Sequence, residues 1–289
     1  MHRNIVAGNV EDICLPEGSN TLPRSIVASA FLAVTCFAMV FMAACSLDAK
    51  PEPTPEEPAA PHVDSGSGMA FIEPFDDPTE PLPMARATIR RGESEPDIVV
   101  NPSSRLVLVN KERNLPPDYA PEDLVRPNIP FPFEGELPRM MMRSEAAAAI
   151  EELVTAAGEE GLVIFGSSGY RSYETQRAIF ESNVQRRGET EANRFSARPG
   201  QSEHQTGLAM DVTSPDVGYG LVQSFGDTAE GIWIEENAHE FGFIVRYPRD
   251  SEHITGYAYE PWHLRYVGCD HAKIIRDTSL TFEEYMQER

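Results

Sequence analysis

Gln201 to Thr213 reads QSEHQTGLAMDVT, and it sets an imidazole and a carboxylate where both can reach one ion. His204 lies in a turn that Gly207 ends. Leu208, Met210 and Val212 then alternate with Ala209, Asp211 and Thr213, the period-2 pattern of a half-buried strand. One face is apolar. The other carries Asp211 among small neighbours, and the turn can swing His204 back towards it. An imidazole and a carboxylate so placed can hold a divalent metal, but two ligands do not make a site. The third is sought at Glu260-Pro261-Trp262-His263, far along the chain and again in a strand-like setting.

The elements that must position these residues can be read in outline. Ile98 to Val100 and Leu106 to Val109 are short β-branched runs that predict strands. A proline-rich loop follows. SEAAAAIEELVTAA predicts a helix over 144–157, with Ser144 as its N-cap and Ile150, Leu153 and Val154 on one face. Leu162 to Phe165 predicts a buried strand, Ser167 to Arg171 a turn, and Ser172 to Phe180 a helix capped by Ser172. Asn183 to Gly200 reads as a polar loop. After the central stretch come a helix at about 231–241, a strand over 243–247, the 260–266 segment, and two helices, over 270–276 and from Phe282. Helices and strands mix without regular βαβ alternation, so the class is α+β.

Three stretches, SEHQTGLAMD, EPWH and SSGYRSYETQ, together resemble the VanY-type D-alanyl-D-alanine carboxypeptidases, zinc peptidases of the bacterial cell wall. The family pattern S-x-H-x-x-G-x-A-x-D stands here as Ser202, His204, Gly207, Ala209 and Asp211. E-x-W-H stands as Glu260, Trp262 and His263, and S-G-Y-R-S-x-x-x-Q as Ser168 to Ser172 with Gln176. Taken singly, each residue reads as an ordinary surface or core group. In order and at family-like distances they carry the likeness, which runs from about Leu106 to the end. It implies a small antiparallel sheet flanked by helices around a zinc site, the hedgehog/DD-peptidase-like arrangement.

The resemblance further implies one zinc ion held by His204, Asp211 and His263, with Glu260 as catalytic base. Two imidazoles and a carboxylate leave a fourth position for water, the pattern of a catalytic site. Zinc lowers the pKa of that water from near 16 to about 7, and a carboxylate beside it can take the proton and pass it to the leaving amine. Arg171 is the candidate cation, either for the anionic intermediate or for the free carboxylate at the substrate's end. Ser202, Gln176, Tyr170 and Ser168 are candidate substrate-binding groups. The implied substrates are peptidoglycan stem peptides ending in D-Ala-D-Ala. A dipeptidase or an endopeptidase on the same scaffold is the alternative, and Glu260 speaks against a binding module without turnover. A serine acyl-transferase is excluded: the residues three before the lysines are Leu47, Leu108 and Asp270, so S-x-x-K is absent.

The rest of the chain concerns location. Residues 1–45 read as a leader or anchor. SIVASAFLAVTCFAMVFMAA, at 25–44, carries no charge and is long enough to span a bilayer. It ends in Met42-Ala43-Ala44-Cys45, similar to the lipobox of bacterial lipoproteins, with Met42 where Leu is usual. Residues 46–96, rich in Pro, Glu and Ser, read as an extended tether, leaving 97–289 as the catalytic domain outside the membrane. The formal net charge of -22 excludes a nucleic-acid partner. Three of the four cysteines precede residue 46, so no zinc site is built from several thiolates, and Cys269 reads as a small buried apolar residue. Nothing in the pattern calls for more than a monomer.

Overall fold

A computed structural model describes residues 88–89 and 96–287. The expected leader and most of the tether lie outside these residues. Among the described residues no helix is long and apolar enough to cross a membrane. The elements in chain order begin with β1 (Thr88–Ile89), β2 (Asp97–Val99), β3 (Arg113–Asn114), β4 (Leu124–Val125), β5 (Met142–Arg143) and α1 (Ser144–Glu159). Then come β6 (Phe165–Ser168), α2 (Tyr173–Arg187), α3 (Glu189–Phe195), β7 (Ala209–Thr213), α4 (Ala229–Asn237) and β8 (Phe243–Tyr247). The chain closes through α5 (Glu252–Thr255), β9 (Glu260–Tyr266), α6 (Cys269–Thr278) and α7 (Phe282–Gln287). β1 falls inside the stretch read as tether and pairs antiparallel with β2, so folded structure begins before residue 97.

The sheet that matters for function is β6-β7-β9-β8, antiparallel throughout. The sheet β1-β2-β3 is smaller and mixed, since β2 and β3 run parallel. On one face of the main sheet Met210, Val212, Phe243 and Leu264 pack against Ile150 and Leu153 of α1 and Trp233 and Ile234 of α4. Each of the large aliphatic side chains fully buried there contributes about 1.5–3 kcal/mol. The opposite face is divided. At one end Ile244 joins a second apolar cluster with Leu106, Leu108 and the helices α6 and α7. At the other lie the residues singled out above.

Several elements differ from expectation for physical reasons. β7 is buried at every position rather than half-buried, because it is an inner strand with both faces covered. Leu106 to Val109 is buried but forms no strand. The carbonyls of Arg105 and Val107 are taken by the Arg265 guanidinium, at 2.8 and 2.9 Å, where a neighbouring strand would otherwise stand. The 162–165 strand is displaced to Phe165–Ser168. The expected loop over 183–200 is largely helix, as α2 runs on to Arg187 and α3 follows. With only Gln176 and Phe180 buried, α2 has too narrow an apolar stripe to show in the sequence. Ser172 caps it as expected, accepting from the Thr175 N–H. Ser144 does not cap α1. Arg143 holds that position and the Ser144 hydroxyl donates to Asp123. Cys269, expected to be buried, is half-buried at the start of α6.

Arg265 is fully buried between Glu203 and the two carbonyls, so truncating it would leave those carbonyls without this donor. Arg265→Ala is expected to destabilise the fold by about 3 kcal/mol or more, read as a lowered midpoint in urea unfolding. An unchanged midpoint removes this residue from the framework.

Candidate active site

Asp211 and His263 are directly opposed across β7 and β9, and Ser168 on β6 is the partner of Asp211 on its other side. The antiparallel register thus brings two residues 52 positions apart into one row. His204 enters from the 3-10 turn Glu203–Thr206, which Gly207 ends with φ +70. A side chain at that glycine is disfavoured twice over, since its Cβ would also stand 2.9 Å from Leu124 Cδ2.

One ligand atom from each of His204, Asp211 and His263 lies within 4.8 Å of the other two, and all three residues are buried. The Asp211 carboxylate spans the pair. Oδ1 is 3.0 Å from His263 Nδ1, and Oδ2 is 3.3 Å from His204 Nε2. Ligand atoms placed tetrahedrally at about 2.0–2.1 Å from a zinc ion stand roughly 3.3–3.4 Å apart; Asp211 meets each imidazole near that separation, through a different oxygen for each. His204 Nδ1 is 2.8 Å from the Gly169 carbonyl. A carbonyl only accepts, so Nδ1 carries the proton and the Nε2 lone pair is left for a metal. Gly169 is needed at that point of the S-G-Y-R-S element, because a Cβ there would meet the Met141 carbonyl oxygen.

Electrostatics follow from burial and neighbours. Burial alone would push the Asp211 carboxyl up, but the two imidazoles outweigh it and hold it well below the usual carboxylate range. Burial would lower His263, yet Asp211 and Glu203 carry it up to about 9. Glu260, at the start of β9, points an oxygen to 4.0 Å from His263 Nδ1. Burial, aided by Asp211, pushes its carboxyl up to about 8 against the pull of His263 and Arg171.

Arg171 donates from Nη1 to Gln176 Oε1 at 2.8 Å and from Nη2 to Ser168 Oγ at 3.0 Å, with Asp211 Oδ2 3.8 Å away. Gln176 Nε2 donates to the Ala197 carbonyl at 2.6 Å. Gln176 and Ser168, both expected as substrate contacts, thus hold the Arg171 fork in this structure. Tyr170 is half-buried. Ser202 lines the cleft. The cleft has a volume of about 540 Å³, with the His-Asp-His cluster on its floor and Arg171, Asn183, Arg187, Phe195, Leu221, Tyr257 and Trp262 around it. His253 is exposed and His271 pairs with Tyr285, and neither joins the cluster.

Residues that sequence reasoning passed over also meet here. Tyr247 packs its ring 5.0 Å from that of His263. Glu203 is fully buried beneath the site and accepts from Arg246 Nε and Arg265 Nη1, each at 2.8 Å. The available signal was the placing of Arg246 and Arg265 at inward positions of apolar strands, where a buried cation requires a buried carboxylate.

The VanY family model, described as D-alanyl-D-alanine carboxypeptidase, matches residues 139–269. The chain is 48% identical over 192 residues to the putative carboxypeptidase YodJ of Bacillus subtilis (strain 168), covering 66% of this chain and 70% of that protein. The LdcB LD-carboxypeptidase structure aligns with a TM-score of 0.67 and 46% identity over 71% of this chain and 96% of that one. A structure of the vancomycin-resistance D,D-pentapeptidase VanY, in complex with Zn(II), aligns with a TM-score of 0.53 and 32% identity over 63% and 98%.

A carboxyl with a raised folded pKa keeps its proton longer in the folded state than in the unfolded one. Between the ordinary 4.5 and about 8 the folded state therefore binds more protons, and Glu260 lowers stability as pH rises through that window. In the chelator-treated protein, Glu260→Gln is expected to leave stability unchanged near pH 4 and to raise it, by up to a few kcal/mol, near pH 9. Parallel melting curves of the two proteins at both pH values would refute this buried-carboxyl picture.

Proposed function

Since this chain belongs to the VanY family of D-alanyl-D-alanine carboxypeptidases, we propose that it is a zinc-dependent carboxypeptidase that removes the terminal D-Ala from peptidoglycan stem peptides. The observation that carries this reading is the buried His204–Asp211–His263 cluster with the Glu260 carboxyl beside it, at the floor of a cleft. His204 Nε2, Asp211 and His263 Nδ1 are the atoms that would hold the ion. A zinc ion so held supplies a Lewis acid and a water whose pKa lies near 7.

The remaining work falls to the protein. Glu260 takes the proton of the attacking water and delivers it to the departing D-Ala amine; as the base it works ionised, and a cation held in the cluster would lower its raised carboxyl towards that form. Arg171, with its fork held by Gln176 and Ser168, offers a fixed cation to a negative oxygen of the substrate. That oxygen belongs either to the terminal carboxylate or to the scissile carbonyl as it turns tetrahedral. Ser202 supplies a hydroxyl at the cleft wall.

The likeness to the LdcB LD-carboxypeptidase favours a second reading on the same machinery, in which the bond cut joins an L-centre to the last D-Ala of a tetrapeptide stem. Free D-Ala released from pentapeptide and from tetrapeptide muropeptides separates the two. Chelation is expected to abolish release, and Glu260→Ala to lower it by roughly 10²–10⁴-fold with zinc still bound. Undiminished turnover in that variant would take Glu260 out of the mechanism.

We further propose that residues 1–45 anchor the protein to the cell membrane and that the segment after them carries the catalytic domain away from its extracytoplasmic face. Support comes from the uncharged run at 25–44 and the small residues before Cys45. With a lipid anchor, Cys45→Ala is expected to shift the protein from the membrane fraction to the soluble one. Continued membrane retention would point to the apolar run itself.

A further inference from the structure

His263 has two ring nitrogens in different surroundings. Nδ1 faces Asp211 at 3.0 Å and Glu260 at 4.0 Å. Nε2 points the other way, to Glu203 Oε2 at 3.5 Å. Both of these last atoms are buried, and neither has a hydrogen-bond partner elsewhere. A buried donor and a buried acceptor left facing each other satisfy one another or go unsatisfied, at a cost of roughly 1–3 kcal/mol each. The other Glu203 oxygen is fixed by Arg246 and Arg265, both at 2.8 Å. Arg246 is in turn held by Glu283 of α7, through Nη1 at 2.8 Å and Nη2 at 2.6 Å.

We propose that Glu203 is a positioning residue that accepts the Nε2–H of His263, fixing the ring's tautomer and orientation so that Nδ1 is the nitrogen offered to the metal. The carboxylate cannot swing away, because two guanidiniums clamp one oxygen and aim the other. The site is thereby orientated from both sides: the Gly169 carbonyl sets His204 and the Glu203 carboxylate sets His263. The two ligands use opposite nitrogens, Nε2 of His204 and Nδ1 of His263, and each has its own acceptor behind it. Partners of this kind typically change metal affinity 10–100-fold.

This rests on the metal site proposed above, and the test separates the two. Zinc dissociation constants of the full chain and of Glu203→Gln are measured by competition with a chromophoric chelator, with the melting curve of each metal-free protein as the folding control. A 10–100-fold weaker constant in a folded Glu203→Gln is the expected result. Imidazole nitrogen NMR of the zinc-loaded natural sequence gives a reading independent of any variant. It is expected to show His263 protonated at Nε2 and metallated at Nδ1. Unchanged zinc affinity in folded Glu203→Gln, or His263 metallated at Nε2, would overturn the assignment of Glu203. A natural chain that takes up no zinc would overturn the metal site and the positioning role together.

Discussion

Everything at the active site depends on the register between β7 and β9. Asp211 and His263 meet because they are opposed partners, and His204 and Glu260 are placed relative to that pair. A slip of one residue would turn Asp211 to the opposite face of the sheet. Such a slip is prevented by the apolar face. Met210, Val212 and Leu264 alternate with the site residues and are buried without exposure against α1 and α4. The apolar layer thus fixes the chemistry on the far side of the same strands.

Beneath the site lies a second constraint, made of charge. Glu203, Arg246, Arg265 and Glu283 are all buried and mutually paired. Taking four charges out of water costs several kcal/mol per ion before pairing offsets it, so apolar residues of the same volume would serve stability as well or better. What apolar residues cannot do is hold one carboxylate oxygen still while aiming the other. The same network ties three distant parts of the chain together: the turn bearing His204, the strands β8 and β9, and α7. Arg265 also takes the place of a strand neighbour for the 105–107 segment, so a single guanidinium organises backbone as well as charge.

The candidate ligands were legible through the family resemblance. Singly His204, Asp211 and His263 read as ordinary residues, and only the joint motifs at family-like distances single them out. The main strands and α1 were legible from apolar period. What escaped was structure held by something other than an apolar stripe. α2 and α3 stand on a cap, one phenylalanine and surface ion pairs, and their sequence looks like a loop. Leu106 to Val109 looks like a strand because it is apolar and branched, but its carbonyls are satisfied by a side chain. Gln176 belonged to the motif and was read as a substrate contact. Only the geometry shows its amide bridging Arg171 and the Ala197 carbonyl.

Charge sets a last condition on the proposed substrate. The sequence carries a formal net charge of -22, while a stem peptide ends in a carboxylate. Over long distances such a protein repels its own substrate, but at physiological ionic strength that field decays over about 8 Å. Inside the cleft the balance is local. Arg171 and Arg187 face it, and the acidic groups nearest the floor are engaged: Asp211 with the two imidazoles, Glu203 with two arginines, Glu260 by a raised pKa that favours its neutral form. Filling the ligand cluster with a divalent cation would shift that balance further towards positive. An anionic peptide end is therefore accepted only at short range and only where the cleft has been neutralised, which makes the clamped guanidinium and the metal cluster joint determinants of which end of the substrate enters first.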